Sequence, residues 1–313
     1  MLNKGQIVNL PLESRHFSGT LGDYLARNER YFSRHNVGEW LNSGCFRQQD
    51  QPLTAASPLL ADHPLILHRP PWQEPDVPKN IEIIHSCQDL VVVDKSAGIP
   101  VTPTGDYFEN TVLHQLRAKL NNDELSPVHR LDLETSGVMA FAARKSARAP
   151  FQRQFAKGHV KKRYQALVFG TIDSKLRTID MPLGNDTLIY TKKVHHPKGK
   201  EALTRIHHIS HHGPFSLLEL EPVTGRTNQL RAHLAAIGHS IVGDKKYHSN
   251  PQNYLNWLEH RDFERIRKDL LLERQALHCQ MLAMMVDGRE VRFYSPKMAA
   301  EQWLDELEKC SSP

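Results

Sequence analysis

The densest group of reactive side chains in the 313-residue chain is His129-Arg130-Leu131-Asp132-Leu133-Glu134-Thr135-Ser136-Gly137. A carboxylate two positions from an arginine, in a loop that ends in glycine ahead of an apolar run, suits a site built on a rigid edge. A nearby guanidinium favours the ionised carboxylate, so Asp132 fits a nucleophile or a base. The same residues fit a surface Arg–Asp pair of little energetic weight. Taken alone, the tetrapeptide leaves both readings open. Other reactive types are less well arranged. In His207-His208-Ile209-Ser210-His211-His212 adjacent histidines point to opposite faces of a strand, and no acid or cysteine completes a ligand set, so no metal site is expected. Cys45, Cys87, Cys279 and Cys310 lie far apart, without a Cys-x-x-Cys pair, which fits a reducing cytoplasm better than a disulfide framework. G-x-G-x-x-G, P-loop and H-E-x-x-H patterns are all missing from the chain.

Regular elements must hold these residues. Val138 to Ala143 reads as a buried strand directly after the loop, and a helix from Ser146 to Gly158 carries Phe151 and Phe155. Val160 to Phe169 alternates so that Tyr164, Ala166 and Val168 share a face. Phe215 to Val223 is a further strand, feeding through Thr224-Gly225 into a helix with Leu230, Leu234 and Ile237. Upstream, Ile81 to His85 and Leu90 to Asp94 form two strands around a turn, and Val112, Leu113, Leu116 and Leu120 follow helical spacing. Strands and helices mix without a βαβ rhythm, so the fold class expected is α+β with a largely antiparallel mixed sheet. The segment from Glu259 to Arg274 reads as a solvated amphipathic helix buried through Leu270 and Leu271.

Four prolines between Pro70 and Pro78 cannot continue a helix or a central strand. They divide the chain into an N-terminal module at 1–69, a linker at 70–79 and a main domain at 80–313. In the module, Thr20 to Arg27 reads as one helix, and Ser33 caps a second that carries Val37, Trp40 and Leu41 and stops at Gly44. Length and composition agree with two soluble domains: 39% hydrophobic and 24% charged residues, with no apolar run near the ~20 residues of a spanning helix. Net charge is +5, but residues 129–164 alone carry nine Lys or Arg against two acids. So local an excess suggests a polyanion footprint, with a solvated helix face as the plain alternative.

His129-Arg130-Leu131-Asp132 with Thr135-Ser136-Gly137 resembles the central motif of the RluA-type pseudouridine synthases. Lys162-Arg163-Tyr164 through Gly170 resembles the family's Lys-x-Tyr strand. Thr224-Gly225-Arg226-Thr227-Asn228-Gln229-Leu230-Arg231, running on to Gly243-Asp244, resembles its Gly-Arg-Thr helix and following loop. Asp94-Lys95-Ser96-Ala97-Gly98 resembles an earlier loop of the family. The matches run in order over roughly 81–298. Ser96 stands where the family usually has Pro and Asn228 where it usually has His, and the second departure bears on substrate preference.

The resemblance implies an RNA pseudouridine synthase: uridine is detached at its glycosidic nitrogen, turned and rejoined through carbon five, with no cofactor and no metal. It implies Asp132 as the essential carboxylate and Arg231 as its partner. Tyr164 would lie on the uracil and assist removal of the proton at carbon five. Arg130 would fill the gap left by a flipped uridine. RNA contacts would come from Arg226, Lys157, Lys161 and Lys162. Two short helices before the main domain resemble the αL-type RNA-binding module, in degenerate form. By analogy the expected substrate is ribosomal RNA ahead of transfer RNA, and a monomer is expected.

Overall fold

The computed structural model describes residues 2–12, 19–28, 37–187, 189, 191–260 and 262–311, which group into two compact units. The first comprises Met1–Asp76 with Thr104–Glu109. Its elements are β1 (Gln6–Leu10), α1 (Leu21–Arg27), α2 (Val37–Asn42), β2 (Phe46–Gln48), β3 (Gln51–Pro52) and β4 (Leu65–Arg69). The strands form an antiparallel sheet in the order β1-β4-β2-β3. A reciprocal cap between Thr20 and Asp23 starts α1. Leu21, Tyr24, Trp40, Phe46, Leu65 and Leu67 bury against one another. Ser33, expected to cap α2, lies outside the described residues.

Pro70, Pro71 and Pro75, after β4, run within this unit, whereas Pro78 belongs to the second. Glu74 is buried and accepts hydrogen bonds from Asn3 Nδ2 (2.7 Å) and from the amides of Phe108 and Glu109 (both 2.9 Å). The Arg69 guanidinium lies 3.4 Å from the centre of the Trp72 ring. Buried polar groups satisfied in this way tie the proline segment to both flanks of the unit.

The second unit comprises Val77–Pro103 and Asn110–Pro313. Its strands are β5 (Glu82–Ser86), β6 (Leu90–Lys95), β7 (Ser126–Pro127), β8 (Ser136–Ala142), β9 (Lys161–Phe169), β10 (Thr178–Asp180), β11 (Leu183–Asn185), β12 (Lys193–His195), β13 (Leu203–His212), β14 (Phe215–Pro222), β15 (Leu277–Val286) and β16 (Arg289–Tyr294). Its helices are α3 (Val112–Leu120), α4 (Lys145–Ala156), α5 (Gln229–Ala236), α6 (Gln252–His260), α7 (Arg267–Leu270) and α8 (Ala299–Ser311). Strands β10-β13-β14-β9-β15-β8-β6-β5 lie in that order, and β11 and β12 form a separate hairpin. Among the described strands only the β8–β15 contact is parallel, so the domain is α+β with a mixed, mostly antiparallel sheet. Central β6 and β8 are buried at every position, which is why they read as continuous apolar runs.

The Glu259–Arg274 segment corrects the sequence reading. Helix α6 ends at His260, and among the described residues of the rest of this segment only the four of α7 are helical. Phe263, Ile266 and Leu270 have helical spacing and bury together. Leu271, however, takes φ +64°, and the Gly243 amide docks on the Leu270 carbonyl at 3.0 Å. The chain turns there to enter β15, and tertiary docking overrides the local pattern.

Candidate active site

The loop that carries Asp132 is held from below. Gly137 has φ +111°, and a Cβ there would meet the Cys279 carbonyl oxygen at 2.2 Å. Only glycine permits the parallel approach of β8 to β15. Beside it, Ser136 Oγ and His278 Nδ1 are 2.8 Å apart. Gln275 Nε2 donates to Thr135 Oγ1, and Lys245 Nζ binds Glu134 at 2.6 Å and the Glu273 carbonyl. Lys95 is fully buried and its Nζ donates to the carbonyls of Ser96 (2.9 Å), Leu133 (3.1 Å) and Thr135 (2.8 Å). Burial pushes this ammonium down to about 7, against the pull of Asp132. Lys95 thus fixes the backbone on either side of Glu134, and Lys245 holds the Glu134 side chain. Neither has a role in the sequence reading, although Lys95 lies inside one matched segment.

Helix α5 brings Arg231 to this loop. The helix is anchored by Gln229, whose Oε1 accepts from Thr224 Oγ1 (2.7 Å) and the Arg226 amide (3.1 Å), while its Nε2 donates to the Leu203 carbonyl (2.9 Å). Arg231 Nη1 donates to Asp132 Oδ2 at 2.7 Å. Its Nε and Nη2 take Asp244 in a two-pronged contact at 2.6 and 2.8 Å. Asp244 has no exposed side-chain surface and also accepts from the amides of Lys246 and Tyr247. Burial opposes the charge of Arg231, but Asp244 and then Asp132 outweigh it and hold the guanidinium protonated well above its ordinary range. Burial likewise opposes the Asp244 charge, yet Arg231 keeps its carboxyl below the usual range. Asp244 lies in a matched segment that gives it no role. Its only signal in the sequence is position, 13 residues beyond Arg231.

Above this ion pair opens a cleft of about 400 Å³, within the usual size of small-molecule sites. His129, Arg130, Asp132, Phe155, Lys162, Tyr164, Arg226, Asn228 and Arg231 all contribute to its wall. Asp132 is the only carboxylate among the lining residues, and its side chain retains 28% exposure. Glu134, the other nearby acid, is turned away to Lys245, so the two-carboxylate arrangement of a glycosidase is not formed here. Tyr164 is buried, and burial together with the neighbouring Cys279 and Asp132 raises its phenol well above the usual value. This favours an uncharged ring with a hydroxyl at neutral pH over a resting phenolate. The His129 ring stacks on Phe155 at 4.4 Å and accepts from the Ala140 amide at 3.0 Å. Burial and then the nearby Lys162 push it down to about 3, so it stays neutral. Arg130 is exposed and has no hydrogen bond or ion pair among the described residues.

Six of the nine cations of the basic stretch fall into two groups. Arg144 pairs with Asp89, Lys161 with Glu290 at 2.8 Å, and Arg163 with Glu219 and Glu221. Arg148, Arg153 and Lys157 are exposed without acidic partners among the described residues. Lys157 and Lys161 stand outside the cleft wall, whereas Lys162 is part of it. Arg226 also lines the cleft and donates from Nε to the Glu201 carbonyl at 2.9 Å. His207 pairs with Glu221 at 2.8 Å, and no group of three potential metal ligands forms among the described residues.

Comparison with known proteins gives the same family from several directions. A family profile described as RNA pseudouridylate synthase matches residues 89–236. An "uncharacterized RNA pseudouridine synthase" of Chlorobaculum parvum is 32% identical over 293 residues, covering 87% of this chain and 89% of its own. Ribosomal large subunit pseudouridine synthase D of Zymomonas mobilis is 31% identical over 282 residues, covering 83% and 84%. The solved structure of human RNA pseudouridylate synthase domain containing 1 superposes with a TM-score of 0.59 at 28% identity, covering 77% of this chain and 91% of the human one.

Proposed function

The chain belongs to the RNA pseudouridine synthase family, with motifs of the RluA type, and from that premise we propose that Asp132 is the carboxylate on which its isomerisation of uridine depends. The observation that carries this reading is the uniqueness of Asp132: a single carboxylate lines the cleft, ion-paired on one side and open on the other. Arg231 pairs with it and orients it, and Asp244 keeps Arg231 in place. Tyr164 lies against the uracil ring as a neutral phenol, which supports a packing role over that of a resting base. No redox or group transfer is required, because the proton lost from carbon five balances the one gained by the ring nitrogen.

Arg130 assists base flipping. A uridine in a stem must leave its stack before the glycosidic bond is reachable, and an exposed guanidinium at the cleft mouth is suited to the vacated space. Arg226, Lys157, Lys161 and Lys162 serve RNA contact, Lys161 least because Glu290 already neutralises it. Ribosomal RNA is the preferred substrate in this reading, supported by the Zymomonas mobilis relative named for the large ribosomal subunit. The N-terminal unit acts as a degenerate αL-type module that touches RNA outside the cleft.

Mapping pseudouridine in the RNA of cells with and without this protein tests activity and target together. Loss of one or a few ribosomal positions is expected. An unchanged map would leave an RNA-binding protein that retains the synthase fold.

A further inference from the structure

Lys162 differs from every other cation of the cleft. It is half-buried, lies on β9 two residues before Tyr164, and therefore projects to the same side of the strand. A bulge at Gln280 in the neighbouring β15 faces this stretch of β9, and bulges commonly re-aim side chains beside active sites. Arg231 is spent on two carboxylates and Arg226 on a carbonyl, but the Lys162 ammonium has no hydrogen bond or ion pair among the described residues. Its described surroundings are the His129 ring, the Cys279 thiol and bare backbone at Gly225, where a Cβ would lie 3.8 Å from Nζ, and the Glu221 carboxylate, itself bound to Arg163 and His207, acts on it only through space. A cation partly withdrawn from water without a direct partner is costly unless a ligand answers it.

We propose that Lys162 is a catalytic residue: its ammonium donates to a carbonyl oxygen of the target uracil and stabilises the negative charge that the ring acquires while detached from the sugar. The inference rests on the synthase reading above. When the bond between C1′ and N1 breaks, its electron pair goes to the ring and spreads over N1, O2 and O4. The pair is used again when C5 bonds to C1′, after which C5 loses a proton and N1 gains one. The same partner serves whether Asp132 attacks the sugar, removes a sugar proton or adds to the ring, because each route places negative charge on a uracil carbonyl. A fixed donor in a water-poor cleft is most effective for charge that develops during reaction. Burial holds the Lys162 ammonium below the ordinary lysine range, as expected for a group awaiting an anionic partner.

Single-turnover rates and RNA affinities of wild type, Lys162→Met, Lys162→Gln and Lys162→Arg test this, with thermal melting to verify the fold of each. Both neutral variants should lose roughly 100-fold or more in rate at saturating RNA, the range for deleting one donor to a developing charge. Their affinity should fall less than threefold, with an unchanged salt slope, and Lys162→Arg should recover part of the rate. A full rate with weakened, less salt-dependent binding would make Lys162 a phosphate contact and overturn the inference alone. A wild-type protein that makes no pseudouridine would overturn the reading of the cleft as well.

Discussion

The loop 129–137 and the basic stretch 144–163 are neighbours in sequence, yet they use charge in opposite ways. In the loop, Asp132 and Glu134 are each held by one buried cation from a distant element, Arg231 and Lys245. Only Arg130 faces outward without a partner among the described residues. In the basic stretch, Arg144, Lys161 and Arg163 are paired with acids of the protein itself, while Lys145, Arg148, Arg153 and Lys157 are exposed without ion pairs among the described residues. Net charge in sequence therefore overstates the positive charge left open to a ligand. On the proposed reading, the essential carboxylate stands where charges are fixed and RNA is met where they are left open, with Lys162 the one open cation assigned to the chemistry.

The largest effect expected from breaking this division is at Arg231. Arg231→Met leaves Asp244 buried and unpaired, and such losses cost about 3–5 kcal/mol. Chemical denaturation should register that loss together with the disappearance of turnover. A variant as stable as wild type would mean that the ion-pair network does not hold the site.

Arg130 should behave differently. Arg130→Ala should keep its stability and lose rate mainly on RNA whose target is stacked in a stem. On an unstructured RNA with the same local sequence the defect should shrink by up to the few kcal/mol that flipping costs. Equal defects on both substrates would assign Arg130 to orienting phosphates or Asp132 instead.

The basic stretch offers a graded series. Arg148→Ala, Arg153→Ala and Lys157→Ala should each flatten the salt dependence of RNA binding, by about 0.7–0.9 log units for each phosphate no longer neutralised. Arg144→Ala and Lys161→Ala, whose partners are internal, should leave the slope nearly unchanged. Identical slopes across the two sets would erase the division between paired and open cations.

The smallest effect concerns acid stability. His129 is held neutral, its value pushed from 6.5 to about 3, so the unfolded chain binds more protons across that interval. Its contribution to stability should fall as pH drops below 6.5. His129→Gln, which keeps an acceptor for the Ala140 amide, should flatten the decline in melting temperature over that window. A decline as steep as in wild type would assign the acid sensitivity to other groups.

Elements with strong local signals were legible in the sequence. The buried strand after Gly137, the helix carrying Phe151 and the Tyr164 strand all stand within a few residues of their expected positions. So was the meeting of Asp132 with Arg231, though only through motif order, because 99 residues separate them. The rest depended on long-range packing. Glu259 to Arg274 carries helical spacing, but the turn at Leu271 and its docking on Gly243 are tertiary facts. The internal partners of Arg144, Lys161 and Arg163 come from residues as far away as Glu290. The support of the catalytic loop by Lys95 and Lys245 leaves no periodic trace at all.

Asp132 is assigned to the chemistry and not to the binding, and on that assignment the whole reading of the cleft depends. Asp132→Asn keeps the shape of the side chain and removes only its charge and nucleophilic oxygen. The decisive test is paired: pseudouridine formation under single-turnover conditions, and RNA affinity at the same salt, for this variant and wild type. Wild type should form product and Asp132→Asn none, while their affinities should agree within a few-fold. Substantial product from Asp132→Asn would remove the carboxylate from the reaction.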